Sequence, residues 1–499
     1  MPLWFCLLLI LLGVGLMAWL GMRVLEIGVH SDLLRPIEPV ILAGIGALLT
    51  VFALFKLVFG RGIKPPERHH WRDRKEPVGP AVPKGMHFAS IASKPAAPPL
   101  PESSASPTAR SFVRTEEGSF ESTRHAATPP PSLGSAPMPS SAVLAVLRDG
   151  AVIPAHPLAL NSHREFDAHH TQVLSRYYLA SGVQGLAVGV HTTQFGIRKP
   201  KHNLLRPVLE LVAQEMVAHE NRTHTTLIKV AGICGNTQQA VTEAQLAKEL
   251  GYDIGLLNLA SVPLDATDYE LIQHCREVAK VMPVFGFYLS PSLGGRPLPY
   301  RFWRAFAEIS NVVAIKVATF NRYQALDVMR AVAESGRALT THDGGSDNPI
   351  AMYTGNDDTI VEDLVGEWQF DVNGSTISQR IVGGLLGHWA CWTRAAVDTF
   401  RALKNLSGNG SIPTDAALLA RQVTDMNGAI FDAANNFRGA IPGVLEVLHR
   451  QGLIDSNLCL DPAESLSPGQ AEEITRVCNA YPHLIDDAFV HDHLSEWKK

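Results

Sequence analysis

The chain has 499 residues, of which 46% are hydrophobic and 18% charged, with a formal net charge of −5. This composition can bury a sizeable core, and the acidic balance excludes the basic surface that phosphate-backbone binding requires, so no nucleic-acid partner is expected. The cysteines at 6, 234, 275, 391, 459 and 478 are scattered, without a Cys-x-x-Cys pair, which excludes a disulfide framework and a zinc site and fits reduced thiols.

Residues 3–22 and 39–59 are nearly uninterrupted apolar runs. Each has the length that crosses about 30 Å of hydrocarbon. The first lacks a basic start and a small-residue cleavage site, which makes a signal peptide the weaker reading. Residues 1–61 are therefore expected to form a two-span transmembrane hairpin. Arg61, Lys64, Arg68, Arg72, Arg74 and Lys75 follow the second run, while the loop between the runs carries only Arg23 and Arg35. By the positive-inside rule both ends of the hairpin, and the domain behind it, are cytoplasmic. Were the extension a fusion or an over-extended start, with Met86 or Met138 as the true start, the protein would be simply cytoplasmic.

Residues 62–142 are rich in Pro, Ala and Ser, including Pro65-Pro66 and Pro129-Pro130-Pro131, and show no apolar period. Such a segment cannot bury enough surface to offset its chain entropy and is read as a disordered linker. Its proline-rich pieces suit a spacer better than a ligand for a polyproline-binding domain.

From residue 143 strand-like and helix-like runs alternate. The strand candidates are 151–155, 185–190, 226–233, 254–260, 284–289, 312–318, 350–354 and 375–381. Helical patterns lie between them, among them 203–218, 237–250, 268–281, 299–309 and 325–335. Eight such repeats predict an α/β fold, a (β/α)8 TIM barrel over 143–390. Residues 391–499 read as a C-terminal helical region. His342-Asp343-Gly344-Gly345 reads as an insertion ahead of strand seven.

The chemistry of such a barrel sits at the C-terminal ends of its strands. Strand six, Asn311-Val-Val-Ala-Ile-Lys316-Val-Ala, is apolar and β-branched except for its lysine. Alone, the stretch favours a strand-end lysine that snorkels to water. A buried lysine with a lowered pKa would instead suit imine formation, because only the neutral amine attacks a carbonyl. Strand two ends in His191-Thr192-Thr193 and strand five in Tyr288-Leu289-Ser290-Pro291. A lysine, a tyrosine and two threonine hydroxyls at one mouth would serve proton transfers around an imine. Asp357 and Asp358 read as caps of the helix after strand seven. The early histidines 156, 163, 169 and 170 lack metal-site spacing. Neither a P-loop nor a dinucleotide fingerprint is present, and no cofactor and no metal is expected.

The pieces Gly182-Val-Gln-Gly-Leu-Ala-Val-Gly-Val-His-Thr-Thr, Val230-Ala-Gly-Ile-Cys-Gly-Asn-Thr, Pro283-Val-Phe-Gly-Phe-Tyr-Leu-Ser-Pro, Asn311-Val-Val-Ala-Ile-Lys, Tyr353-Thr-Gly-Asn-Asp-Asp and Asn436-Phe-Arg-Gly-Ala-Ile-Pro-Gly occur in that order. In this arrangement residues 145–490 resemble the dihydrodipicolinate synthase / N-acetylneuraminate lyase family of Schiff-base aldolases and lyases. The resemblance implies a class I lyase that makes or breaks a carbon–carbon bond of a pyruvate-like 2-keto acid, with an aldehyde-type second substrate. It makes Lys316 the Schiff-base lysine and Tyr288, 28 positions earlier, the relay tyrosine. Thr192 joins the relay and Thr193 holds the keto acid's carboxylate. It also implies a homo-oligomer, a tetramer or dimer.

The departures mark a divergent member. His191 replaces the family's glycine before the threonines, and reads equally as an acid/base and as a packing residue. Leu293 stands where dihydrodipicolinate synthases carry a carboxylate-binding arginine, and Arg296, three positions later, is the candidate replacement. The chain is therefore read as a lyase other than dihydrodipicolinate synthase itself. The competing reading is a non-catalytic barrel that binds or senses a small carboxylate at the membrane.

Overall fold

The computed structural model describes residues 136–339, 346–406 and 411–499. The two apolar runs, the linker up to residue 135 and Asp343 lie outside the described residues. Among the described residues no helix is long and apolar enough to cross a membrane.

Eight parallel strands form the centre: β1 (Val152–Pro154), β2 (Gly185–Val188), β3 (Ile228–Ile233), β4 (Ile254–Leu257), β5 (Val284–Leu289), β6 (Val312–Ala318), β7 (Ala351–Thr354) and, after an inserted hairpin, β10 (Ile381–Leu386). Their order is β1-β10-β7-β6-β5-β4-β3-β2. The edges meet where Ala155 bridges Ala187 and His156 N–H donates to the Ala187 carbonyl at 2.8 Å. That junction closes the sheet into a barrel, as the βα repeat predicts.

The crossover helices are α2 (Ala168–Ser181), α3 (Leu205–Thr223), α4 (Thr237–Glu249), α5 (Asp268–Ala279), α6 (Tyr300–Phe306), α7 (Arg322–Glu334) and the short α8 (Ile360–Val365). Polar residues at their N-terminal boundaries set several starts. Asn236 accepts from Gln239 N–H, Asn321 from Tyr323 and Gln324 N–H, and Thr267 forms a reciprocal box with Glu270. Each cap meets backbone donors the helix itself cannot satisfy.

The alternation of strand side chains divides the core in two. Ile153, Ile228, Leu256, Phe285 and Leu385 fill the barrel. Val188, Ile233, Val284, Ile315 and Met352 pack outward under the helices. Helix α1 (Ser141–Asp149), capped by Ser140, begins just inside the stretch read as linker. It packs Val143 and Leu147 into the interior cluster, and the Leu147 carbonyl accepts from Tyr353 Oη at 2.8 Å. Because α1 runs straight into the start of β1, it plugs the barrel at the face opposite the strand ends.

One strand assignment needs correcting. The expected eighth strand at 375–381 is not a barrel stave. Ser375–Gln379 (β9) pairs antiparallel with Trp368–Val372 (β8) in a hairpin packed on α7. Its turn is Asn373-Gly374, with φ of 55° and 80°. Those signs match the two-residue turn whose twist suits a hairpin. The eighth stave is β10, paired between β1 and β7.

The helical C-terminal region is observed as α9 (Thr393–Leu406), α10 (Thr414–Ile430), α11 (Ala440–Arg450), α12 (Gln470–Ala480) and α13 (Asp487–Trp497). The turn between α10 and α11 reaches the strand-end face of the barrel. There Phe437 stacks on Phe320, just past β6, with centroids 5.6 Å apart and planes 12° apart.

Candidate active site

Lys316 is the charged residue of β6. Its neighbours Ala314 and Ala318 belong to the interior cluster, while Ile315 and Val317 face the helices. The alternation therefore sends the lysine inward. Its residue is 8% exposed, and Nζ lies 4.6 Å from the centroid of the Phe287 ring. Burial brings the amine down from 10.5 to about 8, with the Asp357 charge acting the other way. A methyl at Gly355 would stand 2.3 Å from Lys316 Cε and 2.7 Å from Ala318 Cβ. The backbone leaving β7 thus closes on the lysine stem, and only glycine fits there.

Two residues further on is Asp357, also buried. It does not cap α8, whose boundary residue Thr359 makes no side-chain cap either. Instead Asp357 Oδ1 accepts the His388 N–H at 2.8 Å, tying the turn after β7 to the turn after β10. Burial pushes its carboxyl up to about 7, and the Lys316 charge opposes the rise. The lysine and this aspartate each feel the other's charge.

Tyr288 is not brought to Lys316. It pairs with Val317, and Phe287 pairs with Lys316. Val284 pairs with Val312, but the next residue, Phe285, pairs with Ala314. Val313 is the extra residue of a bulge, and both Val313 and Ala314 lie in the interior cluster. One extra residue on one strand shifts every later partner by one. On β5 the alternation is unbroken, so Tyr288, four residues after outward-facing Val284, also points outward, while the bulge turns Lys316 of β6 inward beside Phe287. Tyr288 is 1% exposed, with its ring 5.3 Å from that of Trp303. Its Oη accepts the Leu298 N–H at 3.1 Å, and burial raises its pKa. The aromatic residue over the amine is Phe287, which has no hydroxyl.

The threonine pair is placed at the mouth, but its hydroxyl protons are committed. Thr192 Oγ1 donates to the Ala155 carbonyl at 2.7 Å. Thr193 Oγ1 donates to the His156 carbonyl at 2.7 Å and accepts from Gly189 and Val190 N–H. The pair locks the turn after β2 onto the end of β1. The backbone N–H groups of His191 and Thr192, by contrast, make no hydrogen bond among the described residues. Two adjacent free donors on a turn suit an anion.

His191 lies half-buried with its ring 6.1 Å from that of Phe195. Burial and the Lys316 charge bring it down to about 4, so its imidazole is neutral near pH 7.

Arg296 does not reach the mouth. Its Nη1 donates to the Val262 and Pro263 carbonyls at 3.2 and 2.9 Å. Its Nη2 donates to Leu264 and Ala266 at 3.0 and 3.5 Å. The guanidinium braces the loop after β4 and leaves little for a substrate carboxylate.

A hollow of about 190 Å³ opens at the strand ends among Gly189, Phe195, Gly232, Leu256, Asn258 and Phe287. Asn258, at the end of β4, has its Oδ1 tied to Ala260 N–H at 2.8 Å. A larger hollow, about 430 Å³, lies outside the barrel between α8, α9 and α10 and touches the site only through His388. Sequence reasoning missed Asn258, Phe287, Gly355 and the role of Asp357. Asn258 and Asp357 were detectable as polar residues at strand ends, whereas Phe287 depended on the bulge.

Residues 150–355 match the model of the dihydrodipicolinate synthetase family. No curated protein matches the chain in sequence. Among solved structures, dihydrodipicolinate synthase from Aquifex aeolicus superposes with a TM-score of 0.52 at 18% identity, over 68% of this chain and 99% of that one. The enzyme from Acinetobacter baumannii, complexed with pyruvate, gives 0.52 at 19% identity, over 68% and 99%. N-acetylneuraminate lyase from Fusobacterium nucleatum, also complexed with pyruvate, gives 0.50 at 16% identity, over 67% and 98%. At such identities these likenesses establish the fold.

Proposed function

We propose that this chain, whose residues 150–355 match the model of the dihydrodipicolinate synthetase family, is a class I lyase or aldolase that works through an imine on Lys316. The observation that carries the reading is the burial of this lysine at the strand-end mouth, with its pKa lowered to about 8. Near neutral pH such a lysine keeps a useful fraction of free amine. Its nitrogen attacks the carbonyl carbon of a 2-keto acid, water leaves, and the resulting iminium draws electrons from the neighbouring carbon. Loss of a proton there gives an enamine that adds to an aldehyde carbon; the reverse sequence cleaves the bond. The free N–H groups of His191 and Thr192 are placed to receive the keto acid's carboxylate. A lyase other than dihydrodipicolinate synthase fits Leu293 and the committed Arg296.

Two further parts of the proposal concern the whole chain. The apolar runs at 3–22 and 39–59 would tether the barrel to a membrane, with the barrel on the cytoplasmic side. The chain would assemble as a homo-oligomer, as the family resemblance implies.

A second reading is a barrel that binds a small carboxylate without turnover. Phe287 in place of a hydroxyl over the amine favours it. The two readings separate on trapping. The full chain, incubated with pyruvate and other 2-keto acids and reduced with borohydride, should gain the mass of one reduced adduct at Lys316. Lys316→Ala should gain none. Absence of an adduct with every 2-keto acid tried would overturn the lyase.

A further inference from the structure

Imine formation needs a group that hands protons to and from the oxygen that departs as water. The hydroxyls first in line are spoken for. Tyr288 lies outside the barrel wall, and Thr192 and Thr193 donate to backbone carbonyls. Thr354 Oγ1 donates to Asp363 Oδ2 at 2.6 Å. The Asn356 amide is tied to Phe320 N–H and Asp363.

We propose that Asp357 is the proton carrier for Lys316, taking the place of a tyrosine hydroxyl. This rests on the lyase reading above. Gly355 packs its backbone against the lysine stem, Asp357 lies two residues further along the same turn, and the two groups feel each other's charge. The His388 N–H holds one carboxyl oxygen, which fixes the group and leaves the other oxygen for the reacting atoms.

The neutral Lys316 amine adds to the keto carbon, and the carbinolamine oxygen takes up one of the amine protons. Asp357, in its acid form, gives a proton to that hydroxyl. The C–O bond breaks, water leaves, and the nitrogen lone pair forms the C=N bond. The protonated imine then faces the Asp357 carboxylate, which accepts the proton lost from the adjacent carbon when the enamine forms. No oxidant, reductant or co-reactant is needed.

The ionisable groups around Asp357 agree with this role. Lys316 of β6 faces it, Asp358 adjoins it, and the turn after β10 presents the His388 N–H and Cys391. His191 also feels the Lys316 charge but is neutral, with no proton to give near pH 7. Asp357, pushed up to about 7, holds both of its forms there.

The test uses the full chain and the rate of borohydride-trapped pyruvate adduct from pH 6 to 9. Asp357→Asn keeps the acceptor for His388 N–H but cannot carry a proton. It should form the adduct between about 100-fold and 10,000-fold more slowly and lose the pH dependence set by the acid form. Asp357→Glu should recover part of the rate. Adding Phe287→Tyr to Asp357→Asn should also recover part, by restoring a hydroxyl over the amine. Asp357→Asn with the wild-type rate and pH profile would overturn the carrier while leaving the lyase standing. A slow Asp357→Asn rescued by neither second change would overturn it too. A wild-type chain that forms no adduct would overturn the lyase and the carrier together.

Discussion

Replacing Lys316 with methionine should stabilise the protein at low pH and abolish adduct formation. The fall of the amine from 10.5 to about 8 corresponds to about 3 kcal/mol of preference for the neutral form. Below pH 8 the lysine carries its proton in both folded and unfolded states, so the folded state bears the full cost of a buried ammonium. Between about 8 and 10.5 the folded protein gives up that proton while the unfolded chain keeps it, and the cost fades. Above 10.5 both states are neutral and it is gone. Methionine fills nearly the same space with no charge.

One partner opposes the gain. Asp357 loses the cation that holds its pKa down, and a carboxyl left alone by burial is less stable as pH rises. The net expectation is a gain of about 1–3 kcal/mol at pH 6, shrinking to zero or reversing by pH 10. Urea unfolding followed by tryptophan fluorescence at pH 6, 8 and 10 measures it. A loss of about 1 kcal/mol or more at pH 6, the size of an ordinary structural contact, would refute the reasoning. A difference that does not change with pH would refute it as well. Either would mean that the lysine serves the fold as an ordinary ion pair rather than being held there for its chemistry.

Three other substitutions probe the site and its frame. Tyr288→Phe removes a hydroxyl that, among the described residues, accepts only the Leu298 N–H. It should cost about 1 kcal/mol of stability and leave the adduct rate within about 2-fold of wild type, because this hydroxyl lies outside the barrel; a loss of 100-fold would return Tyr288 to the chemistry. Gly355→Ala should abolish the adduct, since the new methyl displaces Lys316 Cε. A crystal structure should show the lysine moved, and an unchanged trapping rate would contradict the close approach. Gly374→Ala, at φ 80° in the hairpin turn, should lower stability by about 1 kcal/mol without changing the adduct rate, measured by the same denaturation and trapping assays.

Residues with an unmistakable local signal were legible in the sequence. Lys316 stood out because a cation in an otherwise β-branched run is unusual, and strands 284–289 and 312–318 end where the structure ends them. The hairpin was missed although Asn373-Gly374 announces it, because residues 375–381 look as much like a stave as like a hairpin arm. Arg296 looked free because nothing in the sequence reveals that the carbonyls of 262–266 turn toward it.

The sequence by itself determined the alternation of strands and helices, the lysine on strand six and the threonine pair after strand two. Periodicity and composition are local properties, and they survive folding unchanged. Only the tertiary structure decided which aromatic residue meets the amine. The 28 positions between Tyr288 and Lys316 imply a pairing if both strands run without irregularity, but the extra residue at Val313 replaces Tyr288 with Phe287. A bulge is a choice made by packing between neighbouring strands, and no count along one chain contains it. The charge coupling of Asp357 with Lys316, 41 positions earlier, is likewise a product of closure, because it requires the backbone leaving β7 to fold against the lysine stem.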